Sequence, residues 1–346
     1  MLQYRITRIL ADTITLYQER NLAMKKFSKI LSVITGAAAA LALTVTAWAD
    51  YGSVTVMGDS IATGYGLDGY VAGDDYSAAG SFGSIISDEC SSYLNFAVDG
   101  RTTTGLIDAL ESDLADAVTG SDQIIISIGG NDYLQPMQAA LYAKMMEDPD
   151  LLSKIMSGEI DQSEIMNYAQ GFISDTLAAA ANIDASAVAA NIQKITDDIA
   201  ELNSGAEIYL FTIYDPFEGV EGMEDACAVA EAKLGELNSA ISDMEGGNIH
   251  VVDVYGAFKG HAIEYTNISM GDIHPNAAGH AVIADLLASE LSDIAPLDDT
   301  SDNAGADVTP APEKTSPDTG LEGVAAVMGM AALAGAAMVL LKRKSR

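Results

Sequence analysis

Four short blocks carry side chains suited to one kind of reaction. In chain order they are Gly58-Asp59-Ser60, Asp99-Gly100-Arg101, Gly129-Gly130-Asn131-Asp132 and Asp272-Ile273-His274-Pro275. A serine hydroxyl is a poor nucleophile at its free pKa and needs a base, and an imidazole that titrates near neutral pH is suited to take its proton. Asp272 stands two residues before His274, so on an extended segment both side chains point the same way and the carboxylate can orient the ring. An attacked carbonyl becomes a tetrahedral oxyanion that needs donors aimed at it. The backbone N–H groups of Ser60 and Gly100 and the side-chain amide of Asn131 can supply them. Glycine at position 100 permits close approach because it lacks a Cβ, and an amide at 131 does not repel the developing charge as a carboxylate would. These are the parts for nucleophilic acyl transfer. Ser60, Asp272 and His274 are the candidate catalytic residues, and Ser60, Gly100 and Asn131 form the candidate oxyanion hole.

Blocks so far apart can meet only if the elements before them end at one place. Five β-branched or aromatic runs, at 53–57, 93–97, 123–128, 207–213 and 248–254, read as strands. The third and fourth are nearly continuous in apolar residues, as expected for strands covered on both faces. Helical patterns occupy 80–90, 104–117, 186–202, 224–244 and 277–291. Strand alternating with helix predicts parallel strands joined by crossovers, hence an α/β three-layer sandwich with a five-stranded parallel sheet. In such a sheet every carboxyl end lies on one edge, where ligands bind. The first three blocks come directly after the first three strands. The fifth strand leads through a long loop to Asp272 and His274, just before the last helix.

The four blocks, in this order across 53–291, resemble those of the SGNH hydrolase superfamily, also called GDSL esterases and lipases. The longer string from Gly58 to Leu67 is similar to bacterial members described as lysophospholipase-like esterases. The resemblance implies a flavodoxin-like sheet, Ser60 as nucleophile, Asp272 and His274 completing the triad, and no metal or cofactor. It implies a small-molecule, lipid or acylated glycan ester as substrate. Two other readings stay open: a carbohydrate O-acetylesterase of the same fold, and an inert esterase fold used as a surface adhesin or binding module.

The segregation of charge around two apolar stretches predicts that the folded part lies outside the cell. The chain has 346 residues, 50 acidic against 17 basic, and a formal net charge of −33. That excludes a nucleic-acid binder, whose affinity comes from counterions released to Lys and Arg clusters. Ten of the basic residues flank two apolar stretches, and the region between Asp50 and Thr319 keeps 7 basic and 47 acidic side chains. The first stretch begins at Met24-Lys25-Lys26, runs apolar from Ile30 to Thr46 and ends in Ala47-Trp48-Ala49. This reads as a secretory signal peptide over 1–49, with 1–23 an over-extended start. The second, Leu321 to Leu341, is long enough to span a bilayer and is followed by a basic tail. Before it stands Ser316-Pro317-Asp318-Thr319-Gly320, which resembles the sorting signal of sortase substrates in Gram-positive bacteria. There, cutting between Thr319 and Gly320 would join the chain to peptidoglycan. A simple membrane anchor formed by 321–341 is the alternative. The expected organisation is thus a leader (1–49), a catalytic domain (51–296), a disordered spacer (297–315) and a sorting signal (316–346).

Smaller features carry less. Gly64-Tyr65-Gly66-Leu67-Asp68-Gly69 formally fits a dinucleotide fingerprint, but no helix opens at its end, so it reads as a flexible loop beside the nucleophile. His280 with Asp272 and His274 could in principle hold a metal, but it belongs to the final helix. Residues 134–169, rich in Met, read equally as a mobile lid over an acyl groove or as ordinary helix packing. Tyr214-Asp215-Pro216-Phe217 leaves the fourth strand on the catalytic rim and is a candidate pocket wall. Cys90 and Cys227 fall at opposite edges of the sheet, too far apart to bridge, and are expected as free, buried thiols.

Overall fold

A computed structural model describes residues 50–71, 78–147, 175, 177–220, 224–270 and 272–293. The stretches expected as leader, spacer and sorting signal, with Thr319 and Gly320, lie outside the described residues. The five strands are β1 (Ser53–Gly58), β2 (Ser92–Asn95), β3 (Gln123–Ser127), β4 (Glu207–Phe211) and β5 (Ile249–Val252). All pair in parallel in the order β2-β1-β3-β4-β5. The direction of winding reverses between β1 and β3, the switch point at which such sheets bind ligands.

The described helices are α1 (Ser60–Thr63), α2 (Phe82–Ile86), α3 (Thr103–Leu110), α4 (Ala115–Thr119), α5 (Gly130–Glu147), α6 (Ala185–Leu202), α7 (Glu224–Ser242), α8 (Val254–Phe258), α9 (Ala262–Tyr265) and α10 (Ala277–Asp293). Every residue of β3 is buried, which is why its sequence is a run of isoleucines without polar alternation. Ile124 and Ile126 face Leu106 of α3, Ile192 and Ile195 of α6 and Leu237 of α7 in one core cluster. Ile125, Tyr209 and Phe211 alternate with that face and point to the other layer, where Phe82 of α2 meets Phe211 at 5.3 Å between ring centroids.

The structure corrects several expectations. The pattern at 104–117 is two helices, α3 and α4, because the Ser112 hydroxyl takes the Asp108 carbonyl at 2.8 Å while Leu114 turns into the core. Helix α5 opens at Gly130 and carries Asn131 in its first turn, and it continues through the first part of the Met-rich stretch; 148–174 lies outside the described residues. Cys90 and Cys227 are unpaired, as expected, but half-buried rather than buried. Among the described residues no helix is long and apolar enough to cross a membrane, and the apolar stretch 321–341 is not among them.

Candidate active site

The nucleophile's position results from the pairing of β1 with β3. Gly58 pairs with Ser127, and the Asp59 N–H continues the ladder to the Ser127 carbonyl at 3.1 Å. A Cβ at residue 58 would lie 2.2 Å from that same carbonyl oxygen, so only glycine lets the strands run this close up to the nucleophile. Asp59 then caps α1, accepting from the Ile61 N–H at 3.1 Å, and Ser60 occupies the first helical position.

His274 arrives from the other end of the chain. Its segment is pinned by the Asn267 N–H to the His274 carbonyl at 2.9 Å and by the Tyr214 hydroxyl to the Ile273 carbonyl at 2.8 Å. His274 Nε2 lies 2.9 Å from Ser60 Oγ, and Nδ1 lies 2.5 Å from Asp272 Oδ1. With Asp272 ionised, Nδ1 carries the ring proton and Nε2 accepts from the serine hydroxyl. The extended geometry expected for 272–274 is instead a bend closed by an Asx-type bond, in which the His274 backbone N–H also donates to Asp272 Oδ1, at 3.0 Å. Burial would push the Asp272 carboxyl up, but the hydrogen bond from the His274 ring, its charge and its N–H outweigh burial and hold the group below its ordinary range.

The candidate oxyanion donors are placed unequally. Among the described residues, neither the Ser60 nor the Gly100 N–H donates a hydrogen bond, and Gly100 holds the positive φ of 75° that its turn requires. Asn131 reaches the same rim, but its amide donates to Asp59 Oδ2 at 3.2 Å and to the Arg101 carbonyl at 3.1 Å. Both of its hydrogens are therefore engaged within the protein. The Gln135 amide donates to the Gly100 carbonyl at 2.9 Å, so α5 clamps the 100–101 turn from two positions. Asp132 accepts from the Thr103 N–H at 2.9 Å and from its hydroxyl at 2.7 Å, tying the start of α3 to α5.

Several contributors were not legible in the sequence. Asp59 is 2% exposed, and burial pushes its carboxyl up to about 7 against the opposing Ile61 hydrogen bond. Asp99, also buried, accepts from the Thr63 hydroxyl at 2.6 Å and from the Tyr70 hydroxyl. The only signal for the 64–70 loop was its spaced glycines. His280, a conceivable metal partner of Asp272 and His274, is fully buried and uses Nδ1 to accept from the Phe82 N–H at 3.3 Å. No group of His, Cys, Asp and Glu among the described residues could hold a metal ion.

Beside Ser60 and His274 opens a cleft with an empty volume of about 820 Å³, mouth included. Its walls are mostly apolar: Leu134 and Met137 from α5, Leu177, Phe217 after β4, and Val229 and Leu234 from α7. Tyr214 and Pro216 also line it, whereas Asp215 turns its carboxylate back to the Phe217 N–H at 2.9 Å.

Residues 56–282 match the family model described as GDSL-like Lipase/Acylhydrolase. No curated protein matches the chain in sequence. Among solved structures, the lipase Lip_vut3 from a goat rumen metagenome is 20% identical, with 68% of this chain and 95% of that one covered at a TM-score of 0.45. Phospholipase A1 from Streptomyces albidoflavus NA297 is 18% identical, with coverages of 69% and 98% and a TM-score of 0.47. An extracellular lipase from Streptomyces rimosus is 18% identical, with coverages of 68% and 98% and a TM-score of 0.47.

Proposed function

Because the chain belongs to the GDSL-like lipase/acylhydrolase family, we propose that it is a carboxylic ester hydrolase working through an acyl-enzyme on Ser60. The observation that carries this reading is the unbroken hydrogen-bonded chain Ser60–His274–Asp272 at the mouth of an apolar cleft. Ser60 Oγ attacks the ester carbonyl carbon as its proton passes to His274 Nε2, and Asp272 steadies the resulting imidazolium. The carbonyl oxygen becomes an oxyanion facing the Ser60 and Gly100 N–H groups. Asn131 joins them as third donor if it releases the Asp59 or Arg101 contact. His274 then gives the proton to the leaving alcohol. A water, deprotonated by the same ring, releases the acid and restores Ser60.

The cleft favours an aliphatic acyl group over acetyl. Each buried methylene is worth about 0.8 kcal/mol, so kcat/KM should rise about fourfold per added CH2 until the cleft is filled. Assaying p-nitrophenyl esters of increasing length tests this, and an optimum at acetyl would favour the glycan O-acetylesterase instead. Ser60→Ala should lower turnover by about four orders of magnitude and abolish labelling by a fluorophosphonate probe. A wild-type protein that the probe does not label would leave the inert binding module standing.

On sequence grounds the proposal extends to location: a secreted chain that loses 1–49, displays the 51–296 domain on the 297–315 spacer, and is joined to a Gram-positive cell wall at Thr319 by a sortase. Mass spectrometry of the cell-wall fraction tests it. A peptide ending at Thr319 supports anchoring to peptidoglycan, and intact 316–346 peptides in the membrane fraction support the plain anchor.

A further inference from the structure

The catalytic imidazole has an edge toward Asp272 and an edge toward Ser60, and an aromatic ring lies against it. Tyr65 and His274 have ring centroids 4.5 Å apart, with planes inclined at 47°. This contact is built in several ways. The Tyr65 N–H donates to the Ser60 carbonyl at 3.0 Å, closing the turn after α1 on the nucleophile itself. Tyr65 leans on Tyr70 at 5.2 Å, and Tyr70 and Thr63 both donate to the buried Asp99. On the far side the Asn267 amide donates to the Gly66 carbonyl at 3.2 Å. A Cβ at Gly66 would lie 2.8 Å from Asp272 Oδ2, so the loop rests directly on the carboxylate that orients the ring. The 64–70 segment is therefore fastened to three parts of the site.

An aromatic face attracts a cation through its quadrupole and does little for a neutral ring. As the base in the Ser60 mechanism, His274 takes up a proton and carries positive charge while the tetrahedral intermediates form and collapse. A contact that strengthens only with that charge accelerates the reaction rather than merely tightening binding. Resting on the Ser60 reading, we propose that Tyr65 is a positioning residue for His274, holding the ring in its rotamer and favouring its protonated form in both halves of the reaction.

Other titratable groups act on the same imidazole: Asp272 on its own segment, Asp59 ahead of α1, and His280 on α10. The Tyr65 hydroxyl is itself held neutral, since burial and then the nearby Asp272 and Asp99 push it up. The effect therefore belongs to the ring face and not to a phenolate, which separates two variants. Tyr65→Phe keeps the face, and Tyr65→Leu removes it.

The test is the pH dependence of kcat and KM for a p-nitrophenyl ester in the wild type and both variants, together with an NMR titration of the His274 ring. Tyr65→Leu should lower plateau kcat about fivefold with KM changed less than about twofold. Its acidic limb and its His274 NMR midpoint should both move to lower pH. Tyr65→Phe should match the wild type in all of these. The proposal is overturned if Tyr65→Leu loses rate with an unmoved NMR midpoint, if neither rate nor midpoint changes, or if Tyr65→Phe falls as far as Tyr65→Leu. Failure of the esterase reading would look different: wild-type protein unlabelled by fluorophosphonate, with the NMR comparison still deciding the ring contact.

Discussion

His280 should make the fold acid-sensitive by a calculable amount. It sits on α10 with no exposed surface, Nδ1 accepting from the Phe82 N–H and Nε2 without a partner among the described residues, and Phe82 stacked 6.1 Å away. Burial, and secondarily the charge on His274, push it from 6.5 down to about 4. The unfolded chain therefore takes up a proton near pH 6.5 that the folded chain refuses until about pH 4. Stability from this group is complete above the unfolded value and lost as pH falls toward the folded one. Between about pH 7.5 and pH 5 the loss is about 2 kcal/mol. Asp59 acts in the opposite direction. Its folded pKa is raised from 3.8 to about 7, so its contribution is complete below the lower value and disappears as pH rises through the higher. Over the same window that amounts to about 2.5 kcal/mol, so the two nearly cancel and the wild-type profile alone is uninformative. The informative quantity is the stability difference between the wild type and His280→Asn, which keeps an acceptor for Phe82 but does not titrate. Urea unfolding at a series of pH values should show this difference shrinking by about 2 kcal/mol from about pH 7.5 to pH 5. A difference that stays constant across the window would refute the reasoning.

Two glycines and two cysteines give further expected outcomes. Gly58→Ala puts a Cβ 2.2 Å from the Ser127 carbonyl oxygen and 3.0 Å from its carbon, in the centre of the sheet, and should destabilise by roughly 3 kcal/mol or more. Gly69→Ala, with open space around its Cβ, should cost about 1 kcal/mol by urea unfolding, from its positive φ alone. Both cysteine thiols are pushed up to about 12, chiefly by burial, so Ellman's reagent at about pH 8 should react slowly with native protein. After denaturation without reductant it should find both thiols, since neither is bridged.

Much of the framework is legible in the sequence because its signals are local. The isoleucine run of β3 and the aromatic-aliphatic run of β4 announce buried parallel strands without reference to anything distant. Once strands alternate with helices, their carboxyl ends share an edge, and the polar residues just beyond three of those ends lead to Ser60, Gly100 and Asn131, while the loop after the fifth leads to His274. The Asx-type bend at Asp272 is not legible, because a spacing of two suits an extended strand equally well. Nor is the break between α3 and α4, because the apolar pattern continues through Leu114 while one serine hydroxyl competes for the Asp108 carbonyl. Tyr65 carries no signal, because nothing in a Gly-Tyr-Gly string says which ring it will cover.

Residue chemistry and order along the chain were properties of the sequence: a hydroxyl just after the first predicted strand, and a carboxylate and an imidazole before the last predicted helix. The fold alone decided distance and occupancy. Ser60 and His274 are 214 positions apart, and their 2.9 Å contact exists because β1 pairs with β3 in one register while the Asn267 N–H and the Tyr214 hydroxyl hold the 272–275 bend against the same edge. The same packing commits the Asn131 amide to Asp59 and Arg101 and lays Tyr65 on the imidazole. Backbone propensity and hydrophobic period act over a few residues. The positions of side-chain atoms to within a hydrogen bond are set by long-range packing, which no local pattern encodes.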